Sequence, residues 1–274
     1  MLATTVGGEW HTTRVSDPLG REVEARWLML RGDVAVVEST EAVGLKRLGA
    51  DELDPLRASS CGLGELILAA LAAEPAELLV CLGGSATVDG GSGLREVLHD
   101  LPVRTRVACD VRAPLLGPRG AAQAFGPQKG ASPEDVAELE ARLAAMEELA
   151  PYASLPGAGA AGGLGAALAA LGAELVDGAE LVLGMIGFAS RIRGADLVVT
   201  GEGVVDATTA EGKAPAAVLS ACRREGVRCA VFGGRVERAL PGAEMHELSG
   251  RPEASEEDLI ALGGELGRSL VGLA

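Results

Sequence analysis

Three times along this chain a short run rich in Val, Leu, Ala and Cys stops on a loop of glycines or acids, and a helical pattern follows. The runs lie at 77–82, 103–109 and 196–200, and the loops after them begin at Gly83, Asp110 and Gly201. A crossover helix returns the chain to the same end of a sheet, so strands that alternate with helices pair mainly in parallel. Ligands of such sheets gather at the carboxyl ends of the strands, where these loops sit. The expectation is an α/β protein whose chemistry lies in the loops.

The remaining patterns fill in that frame. Residues 9–38 alternate β-forming residues around Asp17-Pro18-Leu19-Gly20 and Arg31-Gly32-Asp33, the pattern of an antiparallel ribbon with tight turns. Apolar spacing turns helical from Gly62 to Leu71. Ser132 to Ala150 reads as one helix: Ser132 can cap it, Pro133 suits its first turn, and Asp135 completes a capping-box spacing. Its apolar stripe is Val136, Leu139, Leu143, Met146 and Leu149. The last third reads as strand, glycine loop, helix (214–225), strand (227–232), a strand near Met245 and a closing helix from Glu256. A boundary near Arg193 divides a mixed α/β domain, 1–193, from an α/β domain at 194–274. The stretch from Pro156 to Gly165 is biased to Gly and Ala and suggests no element.

Composition narrows the function. Hydrophobic residues make up 48% of the 274 but aromatics only 2%, so the core must be built from Leu, Val and Ala. A net charge of −15 repels nucleic acid and anionic membrane alike, and no basic run offsets it. No apolar stretch is long enough to span a bilayer. The five cysteines include no C-x-x-C pair and read as buried thiols of a cytoplasmic protein. Any anionic ligand must therefore be held by a local arrangement of cations and backbone N–H groups.

Three loops offer that arrangement. In GGSATVDGG, Gly83 and Gly84 free backbone N–H groups, Ser85 and Thr87 add hydroxyls, and Asp89 can accept a hydroxyl proton, help hold magnesium or cap a helix. In ACDVRAPLLGPRGAAQAFGPQKG, Asp110 follows a strand, and Arg119 and Lys129 are cations on stiff Gly/Pro loops, suited to a carboxylate or phosphate or to surface ion pairs. In TGEGVVDATTAEGKAP, Gly201 opens a loop carrying Glu202 and Asp206, and Lys213 stands at a helix entry, a set suited to a magnesium-bound polyphosphate or else to a solvated lysine and an aspartate that caps a turn. Other motifs fail. Gly157, Gly159 and Gly162 match G-x-G-x-x-G without a preceding strand, and Gly212-Lys213 is followed by Ala214 rather than Ser or Thr, so it is no Walker A loop. His11, His99 and His246 share no metal or triad spacing.

Taken in order, GGSATVDGG, ACDVRAPLLGPRGAAQAFGPQKG, GAGAAGGLGAAL and LVVTGEGVVDATTAEGKAP resemble the bacterial glycerate kinase family, with further likeness at SDPLGREVEARW and SSCGLGEL. The resemblance implies two α/β domains, one a flavodoxin-like parallel sheet and one mixed, with D-glycerate and ATP meeting between them and Mg2+ accompanying ATP. It places Ser85, Thr87 and Asp89 in one family loop, Asp110, Arg119 and Lys129 in a second and Glu202, Asp206 and Lys213 in a third; from their chemistry we expect Asp89 or Asp110 as base, Arg119 or Lys129 on the glycerate carboxylate, Glu202 and Asp206 near magnesium, and Lys213 on phosphate. Two departures stand out. Val88 occupies a position where the family reads Asn, and loops resembling DSFKGS and ADGGEGT have no counterpart. The flavodoxin-like sheet is thus expected to lack part of its N-terminal portion, leaving an edge prone to self-association as a homo-oligomer. A small-acid-binding protein without catalysis is the alternative those absent loops suggest.

Overall fold

The computed structural model describes residues 2–271, which divide into two compact units, 1–178 and 179–274. In the first, helix α1 (Leu2–Val6) precedes the antiparallel pair β1 (Gly8–Ser16) and β2 (Glu22–Leu30), in register from Gly8 opposite Leu30 to Ser16 opposite Glu22. The turn between them is set locally. The Asp17 carboxylate accepts from the Leu19 and Arg21 amides at 2.8 and 2.9 Å, and Gly20 takes a φ of 82°. Strand β3 (Val34–Glu38) runs antiparallel to β2 and parallel to β4 (Glu77–Leu82), so the predicted ribbon is also the start of a parallel sheet. β5 (Arg104–Cys109) and β6 (Glu174–Asp177) extend it in parallel, giving a six-stranded mixed sheet in sequential order.

Helices α2 (Ser39–Val43), α3 (Cys61–Leu71), α4 (Ser92–Val97), α5 (Ala121–Phe125), α6 (Pro133–Ala144) and α7 (Ala160–Ala170) complete this unit. Leu63, Leu66 and Ile67 of α3 are fully buried beneath the sheet with Leu78, Val80 and Val107. Each contributes about 1.5–3 kcal/mol on burial. α7 is made almost wholly of Ala and Gly, and small side chains let it lie between two cores. Leu164 and Leu168 enter the core under the sheet, and Ala166 and Ala167 enter a second core with α5 and α6.

Close packing at the strand ends depends on one glycine in particular. A Cβ on Gly62 would lie 1.7 Å from the carbonyl oxygen of Ser16, so the first turn of α3 can touch the end of β1 only without a side chain. Gly62→Ala is expected to cost about 2–3 kcal/mol through the forced displacement of α3, read as a shift of the urea midpoint with unchanged slope.

The helix predicted for 132–150 starts as expected, with the Ser132–Asp135 capping box formed, but ends at Ala144. Met146 leaves the helical region at ψ 80°, and a 3-10 segment, Glu147–Tyr152, carries Leu149 into the second core while accommodating Pro151. The segment 156–165, to which the sequence assigns no element, supplies the start of α7 through a left-handed bend at Ala161, Gly162 and Gly163.

In the second unit, α8 (Gly178–Met185, beginning at the junction) and α9 (Phe188–Ile192) precede β7 (Leu197–Val205), α10 (Ala214–Glu225), β8 (Arg228–Val236), β9 (Glu244–Glu247) and α11 (Glu256–Val271). The strands form a parallel sheet in the order β7-β8-β9. The division falls before the expected boundary at Arg193, because Leu183, Phe188 and Ile192 pack with Val218, Leu219 and Val231 of this unit. Both β7 and β8 run past their predicted ends, through the glycines that were expected to stop them. Among the described residues no helix is long and apolar enough to cross a membrane.

Candidate active site

The first unit gathers its candidate residues at the carboxyl ends of β3, β4 and β5. Ser39, the first residue of α2, donates to the Gly83 carbonyl at 3.1 Å and accepts from the Gly83 amide at 3.3 Å. The Leu45 amide donates to Gly84 O, and the Ala86 amide to Val43 O. The Gly83–Ala86 loop is thereby pinned against α2. Around it opens a cavity of about 270 Å³ whose wall includes Gly83, Gly84, Ser85, Asp110, Phe125, Gln128 and Lys129.

Lys129 ends a 3-10 turn, Pro127–Lys129, closed by Gly130 in the left-handed region. Its side chain is buried, and Nζ donates to Ser85 Oγ at 3.1 Å and to Thr87 O at 2.7 Å. Burial pushes the amine down to about 7, against an opposing pull from the charge of Asp89. Asp110 lies on the same wall and accepts no hydrogen bond among the described residues; burial, and then the neighbouring Asp177 charge, raise its carboxyl. The Thr87 hydroxyl is buried without a partner.

Asp89 stands apart. One carboxylate oxygen accepts from the Ser60 amide at 2.8 Å, Ser60 Oγ at 2.7 Å and the Gly93 amide at 3.2 Å, and the other accepts from the Gly91 amide at 3.1 Å. Ser60 Oγ accepts in turn from the Leu94 amide at 2.9 Å. Asp89 thus ties the N-termini of α3 and α4 together, a helix-dipole arrangement suited to a carboxylate. Both oxygens are engaged without help from position 88, where Val88 is buried in the second core. Arg119 is exposed on the Gly117–Gly120 turn and is not among the residues lining the cavity.

The second unit carries its own cluster at the end of β7. Thr209, fully buried, donates to Glu202 Oε1 at 2.5 Å. Asp206 Oδ1 accepts from Thr208 Oγ1 at 2.6 Å and from the Thr208 and Thr209 amides at 2.8 and 3.1 Å. These bonds, the Thr208 hydroxyl foremost, and the charge of Lys213 hold the Asp206 carboxyl down at about 2. Lys213, N-cap of α10, lies 3.6 Å from Glu202 and 3.7 Å from Asp206. Gly201 lies within β7, against the Phe232 ring and carbonyl.

Sequence reasoning missed Ser39, Ser60, Gln128 and Thr209. Ser60 carried a weak signal, since it immediately precedes a helical pattern. Ser39 and Gln128 carried none, because only the fold brings them to the loop. The thiols behave as packed residues: burial raises both Cys81 and Cys109 to about 12.

Comparison with known proteins gives a consistent result. The model of the glycerate kinase family matches residues 1–100 and 95–251. The chain is 38% identical to glycerate 2-kinase of Escherichia coli, over 82% of this chain and 69% of that protein. It is also 38% identical to glycerate kinase of Halalkalibacterium halodurans, over 90% of this chain and 76% of that one. Among solved structures, one described as a glycerate kinase 2 of Salmonella typhimurium superimposes with a TM-score of 0.74 at 32% identity, covering 90% of this chain and 76% of that one.

Proposed function

This chain belongs to the glycerate kinase family, and we propose that it transfers the γ-phosphoryl group of ATP to the C2 hydroxyl of D-glycerate, giving 2-phosphoglycerate and ADP. The position of transfer follows the name of the Escherichia coli relative. The parallel unit, 179–274, is read as part of a flavodoxin-like domain. The observation that carries the residue-level reading is the cavity in which a free carboxylate, Asp110, shares a wall with Ser85 and Lys129.

Phosphoryl transfer to an alcohol needs a group to take the hydroxyl proton, cations at the phosphates and rigid positioning of the acceptor. Asp110 suits the first task, because nothing in its described surroundings occupies its lone pairs and burial makes it a better base than an exposed aspartate. Asp89 is unsuited to it, since four donors already occupy its oxygens. Its role is to fix the loop on which Ser85 and Thr87 stand. Lys129 and Ser85 hold the acid.

Glu202, Asp206 and Lys213 serve the nucleotide. No group of three or more metal-binding side chains occurs among the described residues, which speaks against a dedicated protein cage for a metal. Two carboxylates fit magnesium, which takes one or two from protein and the rest from phosphates and water. When bound, magnesium neutralises phosphate charge. Asp206 remains ionised well below neutral pH, and Lys213 places an ammonium at the positive end of the α10 dipole, where a phosphate would meet it.

Phosphorus NMR of a mixture of ATP, magnesium, D-glycerate and the protein tests this reading. A phosphomonoester resonance coupled to the C2 proton is expected, and one coupled only to the C3 protons would overturn the position proposed. Asp110→Asn is expected to lower kcat about a hundredfold while changing the KM for ATP little, measured by coupled ADP detection.

A further inference from the structure

Strand β1 closes one side of the six-stranded sheet, and among the described residues no strand pairs with its outer edge. The ladder to β2 shows which residues face outward. At its two ends the Arg31 amide donates to Gly7 O and the Asp17 amide to Arg21 O, so the odd-numbered residues of β1 are the ones that bond with β2. The even-numbered ones, among them Trp10, Thr12 and Arg14, turn their N–H and C=O groups away from it. Ser16 shows the same parity, since its amide leaves the sheet to meet Glu65 Oε2 at 2.6 Å. Soluble proteins usually blunt such an edge with a short strand, a proline, a lysine or a bulge. At the opposite edge β6 is blunted by its length of four residues. β1 has none of these devices, and runs nine residues in unbroken register without Pro or Lys.

We propose that this edge docks the β1 strand of a second copy of the chain, antiparallel to it and related by a two-fold axis at Thr12, so that two six-stranded sheets become one. Under that axis Trp10 stands opposite Arg14 of the second copy, Arg14 opposite its Trp10, and Thr12 opposite itself. All of these are outward-facing residues, so each pair exchanges two N–H···O bonds. Trp10 is 47% exposed, and Thr12 and Arg14 are exposed on the same face. Each Trp10 ring would then receive the guanidinium of the other copy's Arg14, as it already receives Arg26, whose Cζ lies 5.0 Å from the ring centroid. Thr–Thr is itself a favourable cross-strand pair.

Electrostatic complementarity selects this register over its neighbours. An axis at Arg14 would set two guanidinium groups opposite one another, and an axis at Trp10 would leave Arg14 opposite Val6, which lies in α1 rather than in a strand. A single strand pair buries less than the roughly 1,200–2,000 Å² of a tight interface, and a net charge of −15 on each chain opposes association. The dimer is therefore weak, with a dissociation constant on the order of tens of micromolar at physiological salt. None of the pairing residues belongs to the candidate active site, so this dimer stands or falls independently of the kinase reading.

Sedimentation velocity of the full chain, from about 1 to about 300 µM at about 0.15 M salt, tests this. A shift from monomer to dimer across that range is expected. Thr12→Pro removes an amide that the β1–β2 ladder does not use, so the fold should be kept, with a melting temperature within about 2 °C of the wild type. The same change takes away the central donor of the proposed pair and should raise the dissociation constant at least about tenfold. Register is read separately by a nitroxide on Thr12→Cys, with the wild type treated in the same way as reference. Residues paired across the axis lie about 5.5 Å apart at Cα, so dipolar broadening that grows with concentration is expected. A monomer at every concentration, a dimer that folded Thr12→Pro leaves undisturbed, or a dimer of the labelled protein without broadening would each overturn the proposal.

Discussion

Asp89→Ala is expected to lower the melting temperature by roughly 6–12 °C, corresponding to about 3 kcal/mol in a chain of this size. The carboxylate accepts four hydrogen bonds, three of them from backbone amides at or near the starts of α3 and α4. Alanine would leave these donors without an acceptor inside packed structure, and the loss exceeds that of an ordinary surface ion pair, which is worth at most about 1 kcal/mol. Asp89→Asn retains one acceptor oxygen and should fall between the two. Calorimetric melting of the three proteins separates the contributions of charge and geometry. A melting temperature within about 2 °C of the wild type for the alanine variant would mean that the clamp carries little of the fold, and would return Asp89 to the list of candidate bases.

Lys213→Met is expected to lower kcat/KM for ATP about a thousandfold with the affinity for glycerate almost unchanged. Lys213 lies between two carboxylates yet remains 36% exposed, so losing these contacts should cost the fold little. The defect should therefore appear in turnover and leave the melting temperature near that of the wild type. Activity within tenfold of the wild type would show that the Glu202–Asp206–Lys213 cluster does not serve the phosphates.

Much of the architecture was legible in local pattern. The turn at Asp17–Gly20, the capping box at Ser132 and the apolar runs that form β4, β5 and the first parts of β7 and β8 each owe their structure to nearby residues, and each begins within a residue of where it is expected. What escaped depends on distant partners. α7 shows no amphipathic stripe because both its faces are buried among small residues. β6 is four residues long at a sheet edge and only half buried, too little for alternation to show. β7 passes through Gly201 and Gly203 because β8 and the Pro252 carbonyl approach them closely, a contact no local signal announces.

The same distinction governs the site. Residue type marked out Ser85, Asp110 and Lys129, but their meeting in one cavity depends on the 3-10 turn at Pro127–Lys129 folding back on the glycine loop. Asp89 and Asp110 looked equivalent as sequence. They differ in whether their lone pairs are already used, which only hydrogen-bond partners reveal.

The most direct test of the account is ADP release by this chain with ATP and magnesium, comparing D-glycerate, L-glycerate and no added acid. ADP formation that requires D-glycerate and matches phosphoglycerate in amount is expected. Release no greater than the acid-free control, from folded protein that D-glycerate nonetheless stabilises against heat, would contradict it and identify a protein that binds the acid without phosphorylating it.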